Sequence, residues 1–276
     1  MSEFMTVEEA CERLSDPKLI IVDCRFDLAD KEAGKRAYDE GHLPGAFYMD
    51  LEKDLSGSVQ IHGGRHPLPD LEILAQKLGT IGIDQTKTVL VYDDQNGSMA
   101  ARLWWLLKFY GHEDVHVLNG GVSAWLEQGY PLTKELPVPH PVLFKPNPNE
   151  NWIMDVEDVK NLPAGTLLID ARAPERYRGD VEPLDKKAGH IPGAINWFWA
   201  NNLEDGKWKS REALRKQFEA FNKKSITLYC GSGVTACANF LGFTEAGLTD
   251  LKLYPGSFSD WISYDDHPVA TGEGKE

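Results

Sequence analysis

Short apolar runs alternate along this chain with longer segments of helical periodicity. The run from Ile226 to Tyr229 predicts a buried strand, and the segment from Thr235 to Ala246 that follows it has the spacing of a helix. Apolar residues also recur at helical spacing over 99–110 and 211–221. Because strands and helices alternate, the sequence predicts an α/β fold with a mainly parallel sheet covered on both faces.

The same pattern occurs twice. Four pairs of segments match in the same order, namely 20–25 with 167–172, 41–46 with 189–194, 89–92 with 226–229, and 117–125 with 253–261. The period is far longer than that of a solenoid repeat, which indicates two whole domains in tandem. The length of 276 residues agrees, since it exceeds what one ordinary core needs.

A proline-rich stretch separates the two halves. Between Thr133 and Asn149 the prolines are Pro137, Pro139, Pro141, Pro146 and Pro148. Proline at this density prevents a helix or a central strand and favours an extended linker. We therefore expect an N-terminal domain over residues 1–135, a linker over 136–150 and a C-terminal domain over 151–276.

Composition and charge exclude several classes of protein. The formal net charge of −14 disfavours nucleic-acid binding, and an anionic substrate would need a locally positive site. No apolar run approaches the length of a membrane span, and no targeting signal is visible, so we expect a cytoplasmic location. The four cysteines fit neither a metal-ligand pattern nor a disulfide framework.

Cys230 is the main candidate for chemistry. It lies between the predicted strand and the predicted helix, where backbone N–H groups have no partner inside the helix. Those donors favour the thiolate and raise its nucleophilicity at neutral pH. The glycines of the loop from Gly231 to Ala236 allow the backbone to curl into an anion cradle. The alternative is a small buried hydrophobic residue, the common role of a free cysteine.

Comparison of the two halves separates scaffold from candidate function. Cys230 aligns with Asp93, so the first half has no nucleophile and only the second predicts thiolate chemistry. Arg176 aligns with Ala29, so it is either a ligand for a substrate carboxylate or sulfonate, or a solvated surface charge. His190 recurs in both halves before a proline-glycine turn, which favours a structural role.

The tandem halves, the Gly-His-[Leu/Ile]-Pro-Gly-Ala turn in each, and the Cys-Gly-Ser-Gly-Val-Thr loop at 230–235 together resemble the rhodanese superfamily. The resemblance implies two tandem rhodanese-like domains, each a central, mainly parallel sheet flanked by helices, the N-terminal domain being non-catalytic. It also implies that sulfane sulfur moves through a persulfide on Cys230. No metal or organic cofactor is then expected, because the persulfide itself carries the group.

The same resemblance assigns roles to residues. It implies Cys230 as nucleophile, with Ser232, His42 and Asp30 as a proton relay. The residues expected to bind the sulfur donor are Gly231, Gly233, Val234, Thr235, Ala236 and Arg176. Arg65, in the first half, is either a further ligand for the donor or a loop charge. A second arginine of the family, which follows a Glu-Pro pair, is absent near Asp185 in this chain.

The loop sequence bears on the choice of donor. Relatives that use 3-mercaptopyruvate carry Cys-Gly-Ser-Gly-Val-Thr, whereas thiosulfate sulfurtransferases usually carry Cys-Arg-Lys-Gly-Val-Thr. We therefore expect 3-mercaptopyruvate as donor and a thiol, a thioredoxin-like protein or cyanide as acceptor, with thiosulfate as the alternative donor. A cysteine phosphatase is disfavoured, since Ala236 stands where its phosphate-binding arginine would be. A non-catalytic regulatory module is the remaining alternative.

Overall fold

The computed structural model describes residues 2–274, which form two compact units. The first unit comprises the described residues up to Gly57 together with Pro69–Asn149 and Asp205–Trp208. The second comprises Ser58–Leu68, Glu150–Glu204 and the described residues from Lys209 onward. Each unit therefore includes a short segment from the other half of the sequence, which the expected boundaries at residues 135 and 151 do not anticipate.

The strands and helices alternate as the sequence predicts. The strands are β1 (Phe4–Met5), β2 (Leu19–Asp23), β3 (Ala46–Tyr48), β4 (Thr88–Tyr92), β5 (Val115–Leu118), β6 (Leu167–Asp170), β7 (Ile195–Asn196), β8 (Leu203–Glu204), β9 (Lys207–Trp208), β10 (Ile226–Tyr229) and β11 (Leu251–Leu253). The α-helices are α1 (Val7–Glu12), α2 (Ala33–Glu40), α3 (Leu71–Thr80), α4 (Ala100–Phe109), α5 (Gly121–Glu127), α6 (Val156–Lys160), α7 (Pro174–Arg178), α8 (Arg211–Gln217), α9 (Thr235–Ala246) and α10 (Ser257–Trp261).

Each unit is built on a parallel sheet. Within the described chain, the first sheet has the order β1-β5-β4-β2-β3 and the second has the order β11-β10-β6-β7. All neighbouring strands in both sheets pair in parallel. Helix α4 packs on β4 and β5, and α9 packs on β10 and β11. The predicted α/β class with two mainly parallel sheets is confirmed. No helix of the described residues is long and apolar enough to cross a membrane.

Strongly periodic segments fold where the pattern predicts them. Strand β10 and helix α9 have the predicted bounds, and the segment 99–110 contains α4. The segment 211–221 is divided, because α8 ends at Gln217 and a separate 3-10 turn spans Glu219–Phe221. Residues 134–149 contain no helix or strand in the described structure, as the density of prolines predicts.

An Asp–Arg pair at a strand end is built in the same way in both units. In the second unit, Arg172 Nη2 donates to Asp170 Oδ2 at 2.6 Å and to the carbonyl of Gly189 at 2.7 Å. The matching groups of the first unit, at the same two distances, are Arg25, Asp23 and Gly41. The pair therefore ties a strand end to the Gly-His turn and is scaffold in both units.

Candidate active site

Cys230 follows the last residue of β10 and is 2% exposed. The N–H of Gly233 donates to its Sγ at 3.2 Å. Burial opposes ionisation, but the Thr235 hydroxyl and the N–H groups of Ser232 and Ala236 hydrogen-bond the sulfur and bring the pKa of Cys230 below its usual value. The predicted loop residues lie together at the start of α9; these are Gly231, Gly233, Val234, Thr235 and Ala236. The loop therefore stabilises a thiolate.

Helix α10 holds the loop from behind. The N–H of Cys230 donates to Ser257 Oγ at 3.1 Å. In return, the N–H groups of Phe258 and Ser259 donate to the carbonyls of Cys230 and Gly231 at 3.0 and 2.9 Å. Because both sides of the peptide at Cys230 are bonded to one short helix, the sulfur is fixed relative to the end of the sheet.

Ser232 is bonded to a histidine from the segment Ser58–Leu68, which belongs to the second unit. The Nδ1 of His66 lies 2.7 Å from Ser232 Oγ, and both residues are buried. Ser232 lies two residues after Cys230, so the imidazole is joined to the nucleophile loop through one hydroxyl. This arrangement can carry a proton to or from a group bound at the sulfur.

The segment that carries His66 is anchored to α10. The N–H of Gly63 donates to Asp260 Oδ1 at 2.7 Å, and the N–H of Arg65 donates to Ser259 Oγ at 3.1 Å. Gly64 has φ +80° and passes so close to the helix that a Cβ there would lie 2.3 Å from the Gly256 carbonyl oxygen. Only glycine fits this approach, because both the backbone conformation and the space exclude a side chain.

Two arginines face the residue after the nucleophile. A Cβ placed on Gly231 would lie 3.0 Å from Arg65 Nη2 and 3.4 Å from Arg176 Nη2. Burial lowers the pKa of the Arg65 guanidinium, while the charge of Cys230 partly offsets that effect, which shows that the two groups are electrostatically coupled. The structure therefore supplies positive charge beside the sulfur in a chain whose net charge is negative.

Acidic side chains compensate the arginines. Arg176 Nη2 donates to Glu182 Oε1 at 2.8 Å and to Asp185 Oδ2 at 3.0 Å. Arg65 Nη1 also pairs with Asp185. Both carboxylates are almost fully buried, with side chains 4% and 2% exposed. Arginine and carboxylate side chains thus alternate in a network of ion pairs beside Gly231.

His42 does not take the position expected for the relay histidine. Its ring is 0% exposed and stacks on Tyr38, and its two nitrogens lie 2.8 Å from the Tyr38 carbonyl and 3.1 Å from that of Glu135. Both ring nitrogens contact backbone carbonyls of the first unit, so these contacts are those of a structural histidine and do not support the expected relay role. The histidine that contacts Ser232 is His66.

Asp30, the other residue expected in the relay, is a surface residue of the first unit. Its side chain is 54% exposed, and it pairs with Arg36 on the surface of the first unit. That pairing lowers the pKa of Asp30, as an opposite charge does for any surface carboxylate. The structure gives Asp30 a surface ion pair in place of the expected catalytic role.

His190 has the same surroundings as His42. Its Nδ1 lies 2.8 Å from the Tyr177 carbonyl, and its ring stacks on that of Tyr177. The recurrence of this histidine in both halves was the signal for a structural role. His66, the histidine that contacts Ser232, does not recur, since the sequence Gly-Gly-Arg-His at 63–66 occurs only in the first half. Its absence from the second half is the signal that could have marked it as a candidate. Sequence reasoning missed His66 although it singled out the neighbouring Arg65.

The matching loop of the first unit is filled by its own carboxylate. Asp93, which replaces the cysteine, is 0% exposed. It accepts backbone N–H groups at 2.7–2.9 Å from Gln95, Gly97, Met99 and Ala100. Burial raises the pKa of Asp93, and the four hydrogen bonds oppose that effect. The first unit therefore keeps an anion cradle but holds a side chain in it.

The segment Asp205–Trp208 lies against that loop in the first unit. Trp208 Nε1 donates to the carbonyl of Asn96 at 3.0 Å, and the Trp208 N–H donates to Asn119 Oδ1 at 2.8 Å. The indole also stacks on Phe4. Because Trp208 is buried there, the mouth of the first loop is covered.

Comparisons with known proteins agree with this architecture. The rhodanese-like domain family matches residues 6–128 and 155–264. A protein of Pseudomonas aeruginosa named probable 3-mercaptopyruvate sulfurtransferase is 42% identical, over 99% of each chain. The thiosulfate sulfurtransferase of Bos taurus is 34% identical, over 94% of this chain and 90% of the relative. The crystal structure of SseA from Escherichia coli superposes with a TM-score of 0.82 at 31% identity, covering 94% of this chain and 100% of that one. The chain is therefore a tandem-domain member of the rhodanese family of sulfurtransferases.

Proposed function

We propose that this protein transfers sulfane sulfur from 3-mercaptopyruvate to a thiol, thioredoxin-like or cyanide acceptor through a persulfide on Cys230. The observation that carries the proposal is the stabilised Cys230 sulfur beside the guanidinium groups of Arg65 and Arg176. A thiolate supplies the nucleophile, and the arginines supply charge for a donor carboxylate. The names of the relatives support the same choice of reaction.

The first half-reaction forms the persulfide. The Cys230 thiolate attacks the donor sulfur and forms an S–S bond, while the donor C–S bond breaks and its electron pair passes to the departing carbon. That carbon takes up the proton released from the donor thiol, so that pyruvate leaves and Cys230 carries the outer sulfur as an anion. Loop N–H groups stabilise this charge, and the pair His66–Ser232 is placed to move the proton.

The second half-reaction restores the enzyme. The acceptor, as a thiolate or as cyanide, attacks the outer sulfur, and the S–S bond breaks with its electron pair returning to Cys230. The product is an acceptor persulfide or thiocyanate. Because the loop hydrogen bonds stabilise the Cys230 thiolate, the enzyme sulfur is a good leaving group in this step.

The proposal is tested by exposing the protein to donor in the absence of acceptor. We expect 3-mercaptopyruvate to add about 32 Da, the mass of one sulfur, and an acceptor thiol to remove it. Cys230→Ser will abolish both the mass gain and turnover. Cys11→Ser, a partly buried cysteine of the first unit, serves as the matched control and retains both. Turnover by Cys230→Ser would overturn the mechanism.

Thiosulfate is the alternative donor. Comparison of kcat/KM for the two donors decides between them, and a large advantage for thiosulfate would contradict the assignment of 3-mercaptopyruvate while leaving the persulfide intact. A protein that takes up sulfur from neither donor would instead be a regulatory module. The cytoplasmic location stays a prediction from the sequence.

A further inference from the structure

Asp185 is bonded to both arginines that face the nucleophile loop. One carboxylate oxygen pairs with Arg65, and the other accepts from Arg176 Nη2 at 3.0 Å. Arg65 and Asp185 also line an open cavity of about 560 Å³, and the partly exposed Arg65 side chain is the member of the pair that a small molecule can reach. An anion that approaches Gly231 therefore meets two guanidinium groups whose charge is partly neutralised by one carboxylate.

The neighbouring carboxylate of Glu182 has a different role. Its Oε1 accepts the backbone N–H groups of Leu184 and Asp185 at 2.9 and 3.0 Å, which closes the loop after α7. Its Oε2 accepts from Arg172 Nη1 at 3.3 Å. Glu182 therefore holds the backbone in addition to pairing with Arg172 and Arg176. The contacts of the Asp185 carboxylate in the described chain are to guanidinium groups.

The local charges balance. Among the described residues, the connected ion pairs around Gly231 contain three guanidinium groups and three carboxylates: Arg65, Arg172, Arg176, Asp170, Glu182 and Asp185. The net charge of these six side chains is zero before the charge of the Cys230 thiolate is counted. A donor with two negative charges is repelled by that thiolate twice as strongly as a donor with one.

We propose that Asp185 determines the charge preference of the donor site, favouring a donor with one negative charge over a donor with two. By pairing with Arg65 and Arg176, it positions both guanidinium groups and lowers the positive potential that they present at Gly231. The inference rests on the proposed sulfurtransferase function and names the property of the donor that the site selects.

The size of the effect follows from the charge of the donor. A carboxylate fixed near the donor changes the binding free energy by an amount proportional to the donor charge. If Asp185→Asn raises kcat/KM for the monoanion 3-mercaptopyruvate by roughly 5-fold, the dianion thiosulfate gains the square of that factor, about 25-fold. The ratio of the two values of kcat/KM thus moves towards thiosulfate.

The experiment measures kcat and KM for both donors in the wild-type protein, Asp185→Asn and Asp180→Asn. The control residue Asp180 lies on the same loop but is 55% exposed and pairs with Arg178. We expect the ratio to shift about 5-fold in Asp185→Asn, mainly through KM, and to stay unchanged in Asp180→Asn. The shift in Asp185→Asn will shrink as salt is added.

A double variant guards against misfolding of the single one. Arg65→Gln/Asp185→Asn removes both members of one ion pair, and its comparison with Arg65→Gln measures the same Asp185 effect without an unpaired arginine charge. A ratio that does not move in either comparison, or an equal loss for both donors, overturns the proposal and reduces Asp185 to a structural residue. Absence of sulfur transfer in the wild-type protein would instead be a failure of the proposed function.

Discussion

At the scale of single residues, ionisation of Cys230 depends on a few hydrogen bonds that must outweigh burial. Among the groups that lower the pKa of this thiol, the Thr235 hydroxyl makes the largest contribution. Removing it leaves the backbone donors in place. The contribution of the hydroxyl can therefore be measured separately from that of the loop.

We expect Thr235→Val to raise the pKa of Cys230, because one hydrogen bond to the thiolate is lost. The thiolate is the reactive form, so a higher pKa leaves less of it at every pH below that pKa. The rate of alkylation by iodoacetamide, followed against pH, will show its rise displaced to higher pH.

Thr244→Val, near the other end of α9, is the matched control. It makes the same chemical change far along the helix and will leave the alkylation profile where it is. Identical profiles for Thr235→Val and the wild-type protein would contradict the assignment of the hydroxyl.

The residues of the site differ in how far the sequence could predict them. Cys230 and its loop were predictable because strand, glycine loop and helix follow one another in a single stretch. His66 was not, since its contact with Ser232 joins positions 166 residues apart and no local pattern marks it. His42 was assigned to the relay because a buried turn histidine and a catalytic one look alike until their hydrogen-bond partners are seen.

At the scale of secondary-structure elements, α10 is the common support of the site. It bonds the Cys230 loop through Ser257 and the segment Ser58–Leu68 through Ser259 and Asp260. The Cys230 loop and the segment that carries His66 are thus positioned by one helix of five residues. A change that separates the segment from α10 will affect the relay more than the nucleophile.

Gly64→Ala makes that change. A Cβ would lie 2.3 Å from the Gly256 carbonyl oxygen, so the segment must move and carry His66 and Arg65 with it. We expect kcat/KM for the donor to fall by roughly 10-fold or more, since misplaced catalytic groups lose the advantage of orientation. The hydrogen bonds of the loop to Cys230 stay in place, so alkylation will still show a thiol with a lowered pKa.

Gly165→Ala is the control for Gly64→Ala, because it introduces backbone strain without a steric clash. Gly165 also has a positive φ, of +87°, but a Cβ there meets nothing within 4 Å. This control carries the strain of about 1 kcal/mol without the displacement. Equal losses of kcat/KM in the two variants would show that the close approach of Gly64 to α10 is unimportant.

The predictability of elements followed their length. Strand β10 and helix α9 have the predicted bounds because each is long enough to show its period. The strands β7, β8 and β9 contain two residues each, too few for any alternation to appear. They are defined by tertiary contacts, which a local pattern does not contain.

At the scale of the whole molecule, the two units keep one scaffold and differ in what fills the loop. In the first unit Asp93 occupies the cradle permanently, and its carboxylate satisfies four buried N–H groups. The first unit therefore has an internally hydrogen-bonded carboxylate where the second unit has Cys230.

We expect Asp93→Asn to lower the free energy of unfolding by about 1–3 kcal/mol, because an amide nitrogen would face N–H donors and leave them buried without an acceptor. Thermal or urea unfolding measures the loss. Asp94→Asn, at the exposed neighbouring position, will have little effect. An unchanged free energy of unfolding in Asp93→Asn would mean that these backbone N–H groups do not need a carboxylate acceptor.

The exchange of short segments has a consequence for how such a protein can evolve. After an ancestral gene is duplicated, a silent copy is normally free to decay or be deleted. Here the first half of the sequence encodes His66 and Arg65, which belong to the second unit. The second half encodes Trp208, which belongs to the first unit. A gene trimmed to its second half would encode Cys230 without the histidine that contacts Ser232.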